Sequence, residues 1–406
     1  MIREKKNIDA SRISNRAQSI EESITLSIAD KAKKMCLAGI DVISLSTGEP
    51  DFPTPDVIKE AGIKAIEDNF TKYTSANGIL ELRVEVAKKL INQNNIQATE
   101  NDVLISAGGK QALMNSLFAT VNDGDEIIIP SPYWTSYPEM VKLAGGIPVI
   151  LKTTVTNNFK LTIEDLYNCI TPNTKGIILN SPCNPTGTIY TQIELIEISK
   201  VIEEVGIYVY SDELYENIIY NNSKHFSIGS LSNVKNYVIT INGLSKAYSM
   251  TGWRMGYVHA PKDVLNACAK IQSQSTSHPS SISQKAGLAA LKYANNDVEI
   301  MRVSFEKRMN LTKELLSDIP KIKFNTPSGA FYFFFDISKY YNNNFNSSFI
   351  VADYLLNEFK VAVIPGSAFG DDNSIRISFA TSEECIIEGI SRIKNGLLSI
   401  IESENK

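Results

Sequence analysis

From about residue 51 onward the chain alternates short, almost unbroken apolar runs with amphipathic stretches, and this alternation narrows the possible folds more than any other feature. The apolar runs are DVLIS (102–106), EIIIP (126–130), GIILN (176–180), IYVYSD (207–212) and YVITIN (237–242). Between them lie helical patterns such as DVIKEAGIKAIEDN (56–69) and QALMNSLFATV (111–121). A strand without polar alternation must be covered on both faces, as in a parallel sheet whose crossovers are helices. The sequence therefore predicts an α/β domain with a large, doubly wound, mainly parallel sheet over residues 51–300. Thr54-Pro55 reads as the cap and first-turn proline of its first helix. Beyond it, the long charged helix VEIMRVSFEKRMNLTKELLSDI, the strands FYFFFDI and SIRISFA, and a terminal amphipathic helix predict a smaller α+β domain over 301–406. Residues 1–50 are assigned to the same small domain, which both chain termini then build.

Composition excludes several function classes. The formal net charge of -5 lacks the basic footprint of a nucleic-acid or membrane-surface binder, so the expected partners are small molecules. Five cysteines scattered without CxxC spacing predict reduced thiols, and three distant histidines predict no catalytic metal. The charged start MIREKKNIDASRIS has no apolar leader core, and no apolar run is long enough to span a bilayer. A soluble, cytoplasmic protein is expected.

In an open α/β sheet, ligands bind beyond the carboxyl ends of the strands, and the notable polar residues fall there. After DVLIS come Gly108 and Gly109 at a helix start, suited to receive a phosphate or to make an ordinary tight turn. After EIIIP comes Trp134, whose indole can stack on a flat ring or sit in the core. Asn184 stands between prolines after GIILN, where it is an aimed amide or a plain Asn-Pro turn. Asp212 ends the next strand as a carboxylate for a ligand or a helix cap, with Tyr215 three residues on. After YVITIN, the stretch SKAYSMTGWRMG carries Ser245, Lys246 and, eight residues past the lysine, Arg254 as a bidentate phosphate clamp. An imine-forming lysine, a stacking ring, an acid for a pyridinium nitrogen and a phosphate cradle together describe a site for pyridoxal 5'-phosphate.

These motifs, with STGEPDFPTP (46–55), KYTSANGILELR (72–83), PGSAFG (365–370) and SIRISFA (374–380), span essentially the whole chain. On them the sequence resembles the fold-type I, class I aminotransferases, most nearly the bacterial aspartate aminotransferases. The resemblance implies that Lys246 holds the cofactor as a Schiff base and shuttles the substrate proton. It implies that Asp212 keeps the pyridine nitrogen protonated, and that Asn184 and Tyr215 bond the ring hydroxyl oxygen. Gly108, Gly109, Ser245 and Arg254 would hold the phosphate, Trp134 would cover the ring, and Tyr73 would arrive from the neighbouring subunit of a homodimer. Gly243 stands where other members carry a phosphate-binding serine. The substrate α-carboxylate would meet Arg376, Asn184 and the Gly48 backbone, and a distal carboxylate Lys110 and Thr25. The implied reaction moves the amino group of L-aspartate to 2-oxoglutarate. The alternatives are a prephenate, aromatic or kynurenine-type aminotransferase or a carbon-sulfur lyase on the same scaffold, and a non-catalytic cofactor-binding sensor. Lys110 as plain solvated surface also stays open.

Overall fold

The structure, a computed structural model, describes residues 12–22 and 24–404. The charged start of the chain, residues 1–11, lies outside the described residues. The strands in chain order are β1 (Ile43–Ser44), β2 (Val103–Ser106), β3 (Glu126–Ser131), β4 (Ile147–Lys152), β5 (Thr174–Asn180), β6 (Tyr208–Asp212) and β7 (Val238–Gly243). They continue with β8 (Gly256–His259), β9 (Lys323–Phe324), β10 (Tyr332–Asp336), β11 (Val361–Ala362), β12 (Ile364–Pro365) and β13 (Ser374–Ser378).

Seven strands form the large sheet in the order β2-β8-β7-β6-β5-β3-β4. All its pairings are parallel except those of β8, which runs antiparallel between β2 and β7. Every residue of β2 and β7 is buried, which is why these runs lack polar alternation. Apolar clusters fill both faces, one around Leu113, Ile127, Ile239 and Val258, another around Ile128, Ile177, Ile198 and Val209. The predicted α/β architecture holds. Strand β8 escaped the sequence reading because Gly-Tyr-Val-His is short and follows the polar SKAYSMTGWRM segment.

Thr54 does not cap the following helix as expected. That helix starts at Asp56 with Pro55 at the cap position and no side-chain capping bond. The Thr54 hydroxyl is drawn away by a tertiary contact: it donates to the Ser249 carbonyl at 2.6 Å and accepts from Trp253 Nε1 at 3.1 Å.

The second sheet, β12-β13-β10-β9, is antiparallel, with Phe334 opposite Arg376. A separate parallel pair joins β1 to β11, so the backbone near Ile43 is stitched to Val361. Phe305, Phe331, Phe333, Leu355, Ile377 and Ile393 pack the core on this side. No helix among the described residues is long and apolar enough to cross a membrane.

Candidate active site

The parallel strands deliver their following loops to one rim. In register, Asn180 of β5 lies beside Asp212 of β6, and Asp212 beside Ile241 of β7. Around this rim opens a cavity of about 600 Å³, closed from the other side by Arg376 of β13, Tyr332 of β10 and the loop carrying Gly48 and Glu49.

Lys246 projects into the cavity, and its ammonium donates to the Gly48 carbonyl. Burial pulls its pKa down to about 8; Arg376 and Arg254 push in the same direction, while Glu49 and Asp212 oppose them. Asp212 is buried, accepts from the Tyr137 hydroxyl at 2.6 Å and takes the Leu214 N–H at 3.2 Å. Burial raises its pKa in spite of those bonds. The bond to Leu214 is a local turn, so Asp212 caps no helix. Trp134 sets its ring edge-on to Tyr137, with centroids 5.4 Å apart.

Gly108 and Gly109 form a cradle that only bare backbone permits. Gly108 has φ +87°, and a Cβ there would lie 2.5 Å from Arg254 Nη2. Gly109 opens the helix Gly109–Thr120, whose first N–H groups have no intrahelical acceptors and carry the positive end of the helix dipole. Among the described residues the donors of Arg254 meet only carbonyls, of Thr251 at 3.0 Å and Ala107 at 3.4 Å. A guanidinium and a bare helix start facing one space suit a phosphate dianion. At Gly243 a Cβ would come 2.9 Å from the Met255 carbonyl, so a serine has no room there, while Ser245 lines the cavity.

Arg376 is 3% exposed. Its Nη1 donates to Asn184 Oδ1 at 2.9 Å and its Nη2 to the Ser46 carbonyl at 2.8 Å, but its Nε is buried with no partner among the described residues. The guanidinium lies 4.3 Å from the Tyr332 ring, whose hydroxyl is 2.9 Å from that of Tyr215. A buried guanidinium that meets only neutral groups and keeps an orphan donor is prepared for an incoming carboxylate. Lys110 stands exposed at the mouth, its ammonium 4.8 Å from the Trp134 ring. Partial burial and the Arg254 charge lower its pKa. Thr25, on the helix Ile24–Leu37, lines the same space.

The cavity thus brings together Thr25, Gly48, Gly109, Lys110, Trp134, Asn184, Asp212, Tyr215, Ser245, Lys246, Arg254 and Arg376, with Gly108 touching Arg254 behind it. Tyr73 is not among them: it is 90% exposed, set edge-on to His278. The sequence reading missed Tyr137, Tyr332, Glu49 and Thr251. Tyr137 follows Trp134 by three residues, a spacing that could have flagged it, whereas Tyr332 is masked by the apolar FYFFF run.

The chemistry of this donor set fits pyridoxal 5'-phosphate, with an amine of lowered pKa, a buried acid, a stacking indole and an anion cradle. The sequence profile described as aminotransferase class I and II matches residues 40–393. An aspartate aminotransferase of Bacillus sp. (strain YM-2) is 45% identical, over 94% of this chain and 98% of that protein. A probable aspartate/prephenate aminotransferase of Aquifex aeolicus is 42% identical, over 96% and 99%. The solved aspartate aminotransferase of Thermus thermophilus with maleate superposes with a TM-score of 0.91 at 38% identity, over 95% of this chain and all of that one. With the profile spanning both sheets and the cavity between them, the chain belongs to the class I and II aminotransferase family.

Proposed function

We propose that the protein moves the amino group of L-aspartate to 2-oxoglutarate, giving oxaloacetate and L-glutamate, with pyridoxal 5'-phosphate as cofactor. The observation that carries this reading is a pair of cations lining one cavity, buried Arg376 and exposed Lys110, with no carboxylate among the described residues bonded to either. Two such cations suit a substrate with two carboxylates. The relatives named for aspartate, and the Thermus structure named with maleate, a dicarboxylate, support it.

When bound, the cofactor supplies the electron sink for the electrons left behind as the substrate loses its α-proton. Lys246 would anchor it covalently and, as acid-base, take up and return the proton of the substrate α-carbon; its lowered pKa keeps a usable fraction of neutral amine near neutrality. Asp212 holds a proton on the ring nitrogen, and Asn184 and Tyr215 bond the ring hydroxyl oxygen. Gly108, Gly109, Ser245 and Arg254 take the phosphate, and Trp134 covers one face. Arg376, Asn184 and the Gly48 backbone receive the α-carboxylate, and Lys110 with Thr25 the distal one.

The active form is a homodimer in which Tyr73 reaches the partner's phosphate. Its 90% exposure, away from its own cavity, supports this. Residues 51–300 act as the cofactor-binding body, and 301–406 with 1–50 as the smaller domain; the β1–β11 pairing supports that division. Five free cysteines accord with a reducing cytoplasm.

Steady-state rates of the cofactor-loaded protein with aspartate, prephenate and phenylalanine as the amino-group partners test the reading. Aspartate with 2-oxoglutarate is expected to give the highest kcat/KM. A higher value for prephenate would favour the activity in the Aquifex relative's name. No oxo-acid release with any donor would point to a non-catalytic cofactor sensor.

A further inference from the structure

Behind the cavity wall lies a buried polar cluster to which the reaction assigns no part. Glu213 and Glu216 flank Asp212 and Tyr215 in sequence, yet both are buried, at 1% and 7% exposure. Glu213 Oε2 lies 3.0 Å from His225 Nε2, and Asn94 Nδ2 donates to Glu216 Oε2 at 2.6 Å. Glu216 Oε1 receives the ammonium of Lys89, itself 7% exposed, and the Asn242 amide at 2.7 Å. Burial works against a charged His225, but the Glu213 carboxylate beside it, through charge and hydrogen bond, and Glu216 behind raise its pKa overall. Two carboxylates then face the Lys89 ammonium and an imidazole inclined towards its charged form. Glu213, Glu216 and His225 also have the spacing of a metal site, but Lys89 already sits on Glu216.

The cluster joins the two strand ends that matter. Asn242 gives its amide hydrogen to Glu216 and its Oδ1 accepts from the Gly243 N–H at 2.7 Å, three residues before Lys246. Glu216 sits four residues after Asp212. One carboxylate therefore clamps the chain leaving β7 to the chain leaving β6. Apolar side chains of similar volume commonly replace a buried ion pair at no loss of stability, so packing alone does not call for this arrangement.

We propose that Glu216, with Lys89 as its counter-ion, is a positioning residue: by bonding Asn242 it sets Lys246 against Asp212. The inference rests on the roles assigned above to those two residues.

Two charge-free double variants separate positioning from mere support, read as holoenzymes by kcat, KM, Tm and the pH midpoint of the bound cofactor's visible absorbance. Lys89→Met/Glu216→Leu removes the acceptor for Asn242. It is expected to keep Tm and the KM for aspartate, to lose about tenfold or more in kcat, and to shift the absorbance midpoint. Lys89→Met/Glu216→Gln restores an acceptor oxygen and is expected to recover most of kcat and the wild-type midpoint. If the first variant fails to fold, Asn242→Ala, which leaves both charges in place, is expected to show the same loss and the same shift. Wild-type kcat and midpoint in the variant lacking the acceptor, or no recovery with glutamine, would overturn the proposal. Failure of the underlying reading looks different: Lys246→Ala would keep the pH-dependent absorbance and the turnover of the wild type.

Discussion

The Tyr137 hydroxyl donates to Asp212 Oδ2 at 2.6 Å, and both side chains are buried. Burial raises the Asp212 pKa, and this bond is the largest influence holding it down. In Tyr137→Phe the carboxyl should become more basic and, in the role proposed for Asp212, draw the shared proton from the ring nitrogen towards itself. A hydrogen bond to a charged group contributes roughly 1.5 to 3 kcal/mol, so kcat is expected to fall about ten- to a hundredfold. KM for aspartate should change little, because Arg376 and Lys110 are untouched. Steady-state kinetics of the variant check this; a change in KM alone would remove Tyr137 from the chemistry.

If Lys246 anchors the cofactor as proposed, capture should be pH-dependent. A lysine lowered to about 8 from its ordinary 10.5 is protonated below that value and neutral above it. The rate at which apoprotein captures pyridoxal 5'-phosphate should climb with pH and level near 8, where an unperturbed lysine would keep climbing towards 10.5. Stability follows the same shift. Between those two values the unfolded chain holds a proton that the folded chain has released, so this group stabilises the apoprotein increasingly as pH rises. Stopped-flow absorbance across this range measures the rate. Lys246→Ala should bind cofactor without covalent capture and lose several orders of magnitude in turnover.

Asp212→Ala should lower kcat far more than it raises KM, since the groups assigned to the substrate carboxylates remain in place. A residue that served only to shape the turn at Leu214 would instead cost about 1 kcal/mol of stability and spare the rate. Thermal melts and kinetics on one preparation distinguish these outcomes.

Arg376→Ala and Lys110→Ala should separate two substrate contacts. Loss of Arg376 weakens every amino-acid substrate. Loss of Lys110 weakens dicarboxylates selectively, by about tenfold, the low end for a charged hydrogen bond because the ammonium is exposed. Phenylalanine should barely respond to the second change. Equal losses of kcat/KM for aspartate and phenylalanine in Lys110→Ala would assign that lysine to the phosphate or the fold.

Local pattern made much of this protein legible. Apolar runs such as YVITIN admit one environment, a strand covered on both faces, and the residues that end such strands must share one rim. Lys246, Asp212, Asn184 and the Gly108-Gly109 turn could therefore be set together from sequence. What the sequence left open depends on partners distant along the chain. Thr54 looked like a cap, but Ser249, 195 residues away, takes its hydroxyl. Tyr332 lies inside the apolar FYFFF run, and only the pairing of β10 with β13 lays its ring under Arg376. Tyr137 reaches Asp212 across 75 residues, and Lys89 reaches Glu216 across 127. Periodicity reports which face of an element is apolar; only packing decides which buried polar group meets which, because that choice is made by register and crossover geometry between elements.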